Sequence, residues 1–163
     1  VINVAMKIGI DKELIKTSLG TFKGVEHRLE FVKEINGIKF INDSKATNVD
    51  SVWYALRSFE EPIYLILGGK DKGNNYNDIK EEVKKRVKKI YAIGSSSQKV
   101  FDFFKNVKPV EIVDSLNTAV KNGLSEASDG DIVLLSPACA SFDMFKNYED
   151  RGFQFKSIVN SIE

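Results

Sequence analysis

Three polar loops contain the side chains of this sequence that could do chemistry. They are residues 42–48, 68–73 and 136–143, and each follows a short apolar segment that is typical of a buried β-strand. Loops that follow parallel strands meet at one edge of an open α/β sheet, where such folds bind their ligands. Because the loops contain lysines, an aspartate, hydroxyl groups and helix-start amides, the sequence predicts a site for an anionic ligand.

The first loop, 42–48, leads into a helix that we expect Thr47 or Asn48 to cap. The free amides and the dipole of a helix start attract anions, and Lys45 adds a full positive charge. Asp43 cannot bind the same anion, so its expected partners are hydroxyl groups, such as those of a ribose, or a cation. The alternative is that these polar residues only build a turn and a cap.

The second loop combines two glycines with two lysines. Gly68 and Gly69 allow the backbone to approach a ligand closely. Lys70 and Lys72 are two residues apart and therefore point in opposite directions in an extended segment, so one of them can face the ligand. The alternative is a flexible connector. The Walker A pattern of phosphate-binding loops is absent from the sequence.

The third loop offers Ser141 and the amide of Phe142 as donors to a carboxylate. The single cysteine, Cys139, has no obvious base beside it in the sequence, so we expect a small buried thiol rather than a nucleophile. The single histidine, His27, lies in a connector, and no neighbouring residues suggest a metal site.

Length and composition indicate an ordinary globular domain of 163 residues with a core. The 24 basic and 23 acidic residues give a net charge of +1, so nothing points to nucleic acid or a membrane as a partner. The lysine pairs 84–85 and 88–89 are expected on the solvated face of a charged helix. A single cysteine excludes an intrachain disulfide and fits a reducing cytoplasm.

Strands and helices alternate from residue 28 onward. The Asn36-Gly37 turn predicts a hairpin between segments 29–35 and 38–41. The further expected elements are strands at 63–67, 89–93, 109–113 and 131–135, and helices at 48–58, 77–87, 96–105, 115–127 and 147–161. This alternation predicts an α/β fold with a Rossmann-like mixed, mostly parallel sheet, helices on both faces and an opening β-hairpin.

Residues 1–26 have a different pattern. They predict two short helices, at 1–8 and 12–19, followed by a connector at 20–26. Gly9 is expected to end the first helix and Asp11 to cap the second. Helices this short bury little apolar surface by themselves, so we expect residues 1–26 to belong to a neighbouring domain of a longer protein.

The loops taken together resemble the C-terminal domain of the Mur ligases. The matching residues are 27–30, 42–48, 134–143 and 145–147, with Gly68, Gly69, Lys72, Arg151 and Gly152. Asp150 stands where the family has glutamate before the Arg-Gly pair. The resemblance covers the whole chain, and its two long motifs are jointly very specific.

The resemblance implies a bacterial, cytoplasmic ligase of peptidoglycan precursor synthesis that uses ATP and Mg²⁺. Such an enzyme adds D-glutamate to UDP-N-acetylmuramoyl-L-alanine through an acyl phosphate. Residues 1–26 would be the tail of its central ATPase domain with the linker. Residues 27–163 would be the C-terminal domain, which binds D-glutamate and closes over ATP. ATP and UDP-N-acetylmuramoyl-L-alanine would bind through domains outside this chain, so the chain alone is expected to be inactive, monomeric and free of cofactor.

The resemblance also implies a role for individual residues. Arg28 and Asp43 would contact the nucleotide, with Asp43 at the ribose, and Lys45 would be the catalytic residue beside the transferring phosphate. The residues around D-glutamate would be Thr47, Lys72, Ser141, Phe142 and Tyr148. Tyr148 stands where the family commonly has phenylalanine, which keeps an aromatic wall and adds a hydroxyl group. No metal ligand is expected in this chain.

Other functions stay open at this level. A sister ligase, including folylpolyglutamate synthase, would use another amino acid and would differ around residues 136–148. A nucleotide- or dinucleotide-binding Rossmann module would need a Gly-x-Gly-x-x-Gly segment after the first strand, and the sequence has none there. A non-catalytic binding domain would have no ATPase sequence upstream in its parent protein.

Overall fold

The computed structural model describes residues 1–22 and 24–162, and its centre is a mixed β-sheet. The strands within those residues are β1 (Glu30–Ile35), β2 (Ile38–Asn42), β3 (Ile63–Gly68), β4 (Val87–Ile93), β5 (Val110–Ile112) and β6 (Ile132–Leu135). They lie in the order β1-β2-β6-β3-β4-β5. β1 and β2 are antiparallel, and the other neighbouring pairs are parallel.

The opening hairpin turns at Asn36 and Gly37, as predicted. Their φ angles are 52° and 77°, and a two-residue turn with both angles positive matches the twist of the strands that it joins. A side chain at Gly37 would in addition overlap the carboxylate of Asp129. The turn therefore fixes the register in which Ile35 pairs with Ile38.

Helices cover both faces of the sheet. They are α1 (Ile2–Lys7), α2 (Lys12–Thr21), α3 (Val49–Arg57), α4 (Lys80–Arg86), α5 (Ser97–Phe104), α6 (Leu116–Glu126) and α7 (Tyr148–Asn160), with a 3₁₀ turn at Tyr76–Ile79. One core cluster packs α3, α4 and α5 against the sheet, and a second packs α6 and α7 against the opposite face. The predicted fold class is confirmed.

β3 shows how one strand serves both layers. All its residues are buried, with Leu65 and Leu67 in the first cluster and Tyr64 and Ile66 in the second. Successive side chains of a strand point to opposite faces, so a strand between two helical layers must be apolar throughout. This explains why the sequence signal for β3 is a continuous apolar run rather than an alternation of apolar and polar residues.

The order of the strands brings the three loops together. β6 pairs in parallel with β2 on one side and with β3 on the other. The loop after β6 therefore lies between the loop after β2 and the loop after β3. Open α/β sheets bind ligands where the strand order changes in this way.

Residues 1–22 form the two predicted helices, and every side chain in them is exposed or only half-buried. Asp11 caps α2 by accepting hydrogen bonds from the amides of Glu13 and Leu14. α2 is longer than predicted and extends to Thr21, so Gly20 lies inside the helix rather than in the connector. Lys23 of that connector, and the terminal Glu163, lie outside the described residues.

The prediction for the second lysine pair was wrong. α4 ends at Arg86, and Lys88 and Lys89 lie on β4. Lys88 donates to Asp131, and Lys89 donates to both Glu111 and Glu126. These acidic partners come from the neighbouring parts of the fold, which a window of local sequence does not contain.

None of the helices in residues 1–22 and 24–162 is long and apolar enough to cross a membrane.

Candidate active site

Backbone hydrogen bonds join the three loops into a continuous surface. The amide of Asp43 donates to the carbonyl of Leu135 at 2.8 Å, and the amide of Gly68 donates to the carbonyl of Pro137 at 2.9 Å. Further along, Lys70 and Ala140 form an antiparallel bridge. The third loop is thus fixed to the first loop on one side and to the second loop on the other.

The side chain of Arg151, on α7, donates hydrogen bonds to the first and third loops. Its Nε donates to Ser44 Oγ at 2.9 Å, its Nη2 to the carbonyl of Ser44 at 2.8 Å, and its Nη1 to the carbonyl of Cys139 at 3.1 Å. The side chain is 1% exposed, and its burial lowers the pKa of the guanidinium to about 10. A buried cation that is satisfied by neutral oxygens adds positive potential to the loops above it.

Arg151 belongs to the residues that carry the family resemblance, but no role was predicted for it. An arginine among the residues of an otherwise amphipathic helix is weak evidence by itself. The stronger indication of a role is that Arg151 and the three loops all match the same protein family. Its partners lie 107 and 12 residues away in the chain.

Cys139 is buried, as predicted. Asn74 Nδ2 lies 3.3 Å from its sulfur, and the hydroxyls of Ser96 and Tyr76 lie within 3.6 Å and 3.8 Å. Burial raises the pKa of the thiol, which disfavours the thiolate that a nucleophile needs. Cys139 is therefore a packing residue between the second and third loops.

The first cavity has a volume of about 260 Å³ and contains all three residues that were assigned to the nucleotide: Arg28, Asp43 and Lys45. Asp43 is 6% exposed. Its Oδ2 accepts a hydrogen bond from Ser136 Oγ at 2.8 Å, and its Oδ1 accepts one from the amide of Leu29 at 3.3 Å. Burial raises the pKa of this carboxyl to about 6.

An unusual backbone holds Arg28 at this cavity. The residues on either side of it, His27 and Leu29, have φ angles of 64° and 42°, in the region that disfavours residues with a side chain. His27 is buried, and its Nδ1 lies 3.0 Å from Asn42 Nδ2. Glu30 Oε2 accepts from that same amide and from the backbone of His27. The connector that was expected around His27 is therefore a fixed turn in which the imidazole is an anchor.

The second cavity has a volume of about 310 Å³ and lies next to the first. It is lined by all five residues that were assigned to the amino-acid substrate, namely Thr47, Lys72, Ser141, Phe142 and Tyr148, together with Ala140, Asn147 and Glu149. Phe142 is 66% exposed and stands at the rim. Of the two lysines in the second loop, Lys72 is the one that lines the cavity. Glu149 is an acidic member that the sequence reasoning did not predict.

The loop that carries Lys72 is braced on both sides. Lys99 Nζ donates to Asp71 Oδ2 at 2.6 Å and to the carbonyl of Asn74 at 3.0 Å. Asn74 in turn donates to the carbonyl of Ala138 in the third loop. The predicted alternative of a flexible connector does not describe this loop, because its two ends are tied to α5 and to the third loop.

Lys45 and Tyr148 meet where the two cavities adjoin. Lys45 Nζ donates to the Tyr148 hydroxyl at 2.9 Å and lies 4.8 Å from the centroid of the ring. The first loop is also tied to Tyr148 through Ser44, whose Oγ donates to the carbonyl of Tyr148 at 2.7 Å. Asn48 caps α3 and Asn147 caps α7, so the starts of both helices face this region.

The donor set of the first cavity fits a nucleotide. A buried carboxylate suits ribose hydroxyls, while Arg28 and Lys45 suit phosphates. The described residues contain no group of three or more His, Cys, Asp or Glu side chains that could hold a metal ion. The arrangement can bind an anion and a second polar ligand side by side, with an ammonium between them.

Comparison with known proteins agrees with this geometry. Residues 27–139 match the family model described as "Mur ligase, glutamate ligase domain". The chain is 50% identical over 163 residues to the UDP-N-acetylmuramoylalanine--D-glutamate ligase of Caldicellulosiruptor bescii, which covers 99% of this chain and 36% of that protein. The corresponding ligase of Cytophaga hutchinsonii is 50% identical over 159 residues, or 97% of this chain and 35% of that protein. The chain thus spans about a third of the length of the curated relatives it matches.

Solved structures share the fold at lower identity. The UDP-N-acetylmuramate-alanine ligase MurC of Thermotoga maritima superposes with a TM-score of 0.70 at 18% identity, over 99% of this chain and 36% of that chain. Escherichia coli FolC in complex with DHPP and ADP gives 0.65 at 15% identity, over 93% of this chain and 36% of that chain. The fold, the two cavities and the family model lead to one conclusion: the chain belongs to the Mur ligase family, as its glutamate ligase domain.

Proposed function

We propose that this chain is the part of an ATP-dependent ligase that binds D-glutamate and closes over ATP, and that the whole enzyme adds D-glutamate to UDP-N-acetylmuramoyl-L-alanine. The observation that carries this proposal is the pair of adjoining cavities, one lined by the nucleotide candidates and the other by the amino-acid candidates. Relatives that are 50% identical and bear the name of that ligase support the same assignment.

The chemistry is the formation of an amide from a carboxylate and an amine. ATP, when bound, supplies the phosphoryl group that turns the carboxylate of UDP-N-acetylmuramoyl-L-alanine into an acyl phosphate, with ADP leaving. The amine of D-glutamate then attacks the acyl carbon, phosphate leaves, and the amine loses a proton. Positioning of the two reactants and stabilisation of negative charge account for most of the rate in such a step.

The residues of this chain would serve two tasks. D-glutamate has two carboxylates, and the second cavity offers Lys72, the hydroxyls of Thr47 and Ser141 and the backbone at Phe142, with Tyr148 as an aromatic wall. On the nucleotide side, Asp43 would accept from the ribose hydroxyls and Arg28 would contact the phosphates. Lys45 would stabilise negative charge on the phosphate that transfers.

Residues 1–26 form, in this proposal, the tail of the central ATPase domain and its linker. α1 and α2 leave apolar side chains exposed, among them Met6, Leu14 and Leu19. The family model begins its match only at residue 27. The sequence contains no Walker A pattern, and in this proposal the phosphate-binding loop and the metal ligands belong to the central ATPase domain, so the chain by itself should have no ligase activity.

The test is the amino-acid requirement of the full-length parent protein. Phosphate release and product mass would be measured with Mg²⁺, ATP and UDP-N-acetylmuramoyl-L-alanine, adding D-glutamate, L-glutamate, L-alanine or D-alanine in separate reactions. D-glutamate alone should give a product whose mass corresponds to one added glutamate. A product formed with another amino acid, and not with D-glutamate, would overturn the proposal.

A further inference from the structure

Tyr148 is fixed at both ends by the first loop. Its carbonyl accepts from Ser44 Oγ at 2.7 Å, and its hydroxyl accepts from Lys45 Nζ at 2.9 Å. The ring packs edge-on to His27, with the centroids 6.1 Å apart. A phenylalanine would keep the ring and the backbone contact, so the bond to Lys45 is the specific contribution of the hydroxyl.

We propose that the Tyr148 hydroxyl is a positioning group that holds the Lys45 ammonium at the boundary of the two cavities. The proposal rests on the function proposed above, which makes that boundary the place where the phosphoryl group passes to the substrate. A free lysine side chain has several rotatable bonds, and fixing it costs entropy whenever it must act. A hydrogen bond to an acceptor that is itself fixed removes most of that cost before the reaction begins.

Glu149 completes the arrangement around the hydroxyl. Because the Tyr148 oxygen accepts from Lys45, its own hydrogen is free to point elsewhere. The pKa of Glu149 lies below its ordinary value, first because of the Tyr148 hydroxyl and further because of the Lys45 charge. Glu149 lines the same cavity as Tyr148, so the hydroxyl hydrogen can orient toward this carboxylate while the oxygen accepts from Lys45.

The first test measures the lysine itself and does not depend on ligase activity. The full-length protein and its Tyr148→Phe variant are labelled with limiting acetic anhydride, and the acetylation rates of Lys45 and Lys70 are read by mass spectrometry. Loss of the acceptor should speed labelling of Lys45 by about fivefold, the factor that corresponds to a hydrogen bond of about 1 kcal/mol. Lys70 is the internal reference, because it is exposed and does not line the cavity of Tyr148, and its rate should not change.

Tyr91→Phe is the matched control for removing a hydroxyl from a tyrosine. Tyr91 lies on β4, away from both cavities, and its hydroxyl has no hydrogen-bond partner among the described residues. This variant should leave the labelling of Lys45 unchanged. If Tyr148→Phe also leaves it unchanged, the ammonium is not held by the hydroxyl and the inference fails.

The second test separates positioning from substrate binding. In the full-length ligase, Tyr148→Phe should lower kcat by about fivefold and change the KM for D-glutamate by less than about twofold, since the aromatic wall remains. In a Lys45→Ala background the same substitution should change kcat by less than about twofold, because a group that acts through Lys45 has nothing left to position. Equal losses in both backgrounds would overturn the inference.

The two tests fail in distinguishable ways. A wild-type protein that does not consume D-glutamate contradicts the proposed function but leaves the labelling result intact. A protein that is an active ligase with unchanged Lys45 labelling contradicts only the role of Tyr148. Where the Lys45→Ala background is too slow to assay even in a single turnover, the labelling rate decides.

Discussion

Gly152 of α7 lies directly against the imidazole of His27. A Cβ atom at residue 152 would overlap the ring, lying 2.8 Å from Cε1 and 3.0 Å from Cγ. His27 in turn lies next to Asn42 and precedes Arg28, which lines the first cavity. Because His27 directly precedes Arg28, the missing side chain at Gly152 helps to fix the position of Arg28.

Gly152→Ala should therefore be destabilising although alanine is the better helix former. We expect a loss of about 1–3 kcal/mol in the free energy of unfolding, since the imidazole must move and its bond to Asn42 is strained. Gly20→Ala is the matched control, because that helical glycine has open space around it. Chemical denaturation measures both. A Gly152→Ala variant that is as stable as the wild type would show that the His27 imidazole can move aside without lowering the free energy of unfolding.

Lys72→Ala in the full-length enzyme should mainly weaken the use of D-glutamate. A lost charge-assisted hydrogen bond of about 1.5–3 kcal/mol corresponds to a KM for D-glutamate that rises roughly ten- to a hundredfold. The KM for ATP should change much less. Lys70→Ala is the control, because Lys70 is exposed and joins the third loop only through its backbone. An equal or larger effect on ATP would assign Lys72 to the nucleotide.

The stability of the domain should depend on pH through Asp43. Burial raises the pKa of this carboxyl from 3.8 to about 6, against the opposing effects of Ser136, the Leu29 amide and Arg28. A raised pKa means that the protonated form stabilises the folded state. This contribution is fully present below the unfolded pKa and is lost as the pH rises through about 6.

Asp43→Asn removes that dependence while keeping the shape of the side chain. Relative to the wild type, its free energy of unfolding should increase by up to about 3 kcal/mol between about pH 4 and pH 8. Denaturant titrations at several pH values measure this difference, with Asp50→Asn as an exposed control. A difference that stays constant with pH would mean that Asp43 ionises like an exposed carboxyl.

Two neighbouring tyrosines should respond oppositely to loss of the hydroxyl. Tyr64 and Tyr91 stack with centroids 6.4 Å apart, but only the Tyr64 hydroxyl has a partner among the described residues, the carbonyl of Glu126 at 2.8 Å. Tyr64→Phe should cost about 1 kcal/mol, and Tyr91→Phe should be neutral or stabilising by a similar amount. Thermal unfolding ranks the two variants. A Tyr91→Phe variant that is the less stable of the pair would contradict the assignment of partners.

The isolated chain should neither hydrolyse ATP nor bind it tightly. In the proposed function Arg28, Asp43 and Lys45 would form one wall of a nucleotide site, and the sequence contains no Walker A pattern to supply a phosphate-binding loop. Calorimetric titration with ATP and Mg²⁺, and a phosphate-release assay with D-glutamate, measure binding and turnover. Micromolar binding at one-to-one stoichiometry would mean that this domain contains a complete nucleotide site and that closure against another domain is not required.

Local sequence predicted most of the fold because its rules act over a few residues. Asn36-Gly37 specified the hairpin, and the apolar run before each loop specified its strand. The same local rules placed Lys88 and Lys89 wrongly on a helix, because the acidic partners of these lysines lie 22 to 43 residues away. The 3₁₀ turn at Tyr76–Ile79 was likewise read as the start of a regular helix.

The candidate site was predicted as a set of residues but not as a set of contacts. Shared motifs identify positions, whereas a hydrogen bond between Lys45 and Tyr148 joins residues 103 positions apart. The burial of Arg151 could not be predicted for the same reason. A charged side chain is buried only when it has hydrogen-bond partners, and the acceptors of Arg151 lie far from it in the sequence. Such partners become visible only when the topology is known.

A strand in the middle of the sheet, β6, comes last in chain order among the strands of the described residues. Until residues 132–135 emerge, β2 and β3 have no shared neighbour, and each offers an unpaired edge to other nascent chains. Pairing across such long sequence separations also makes folding slow. Biosynthesis should therefore yield either a chain in which the edge with the three loops is assembled or one prone to aggregation, and a protein truncated near residue 130 should be recovered mainly in inclusion bodies.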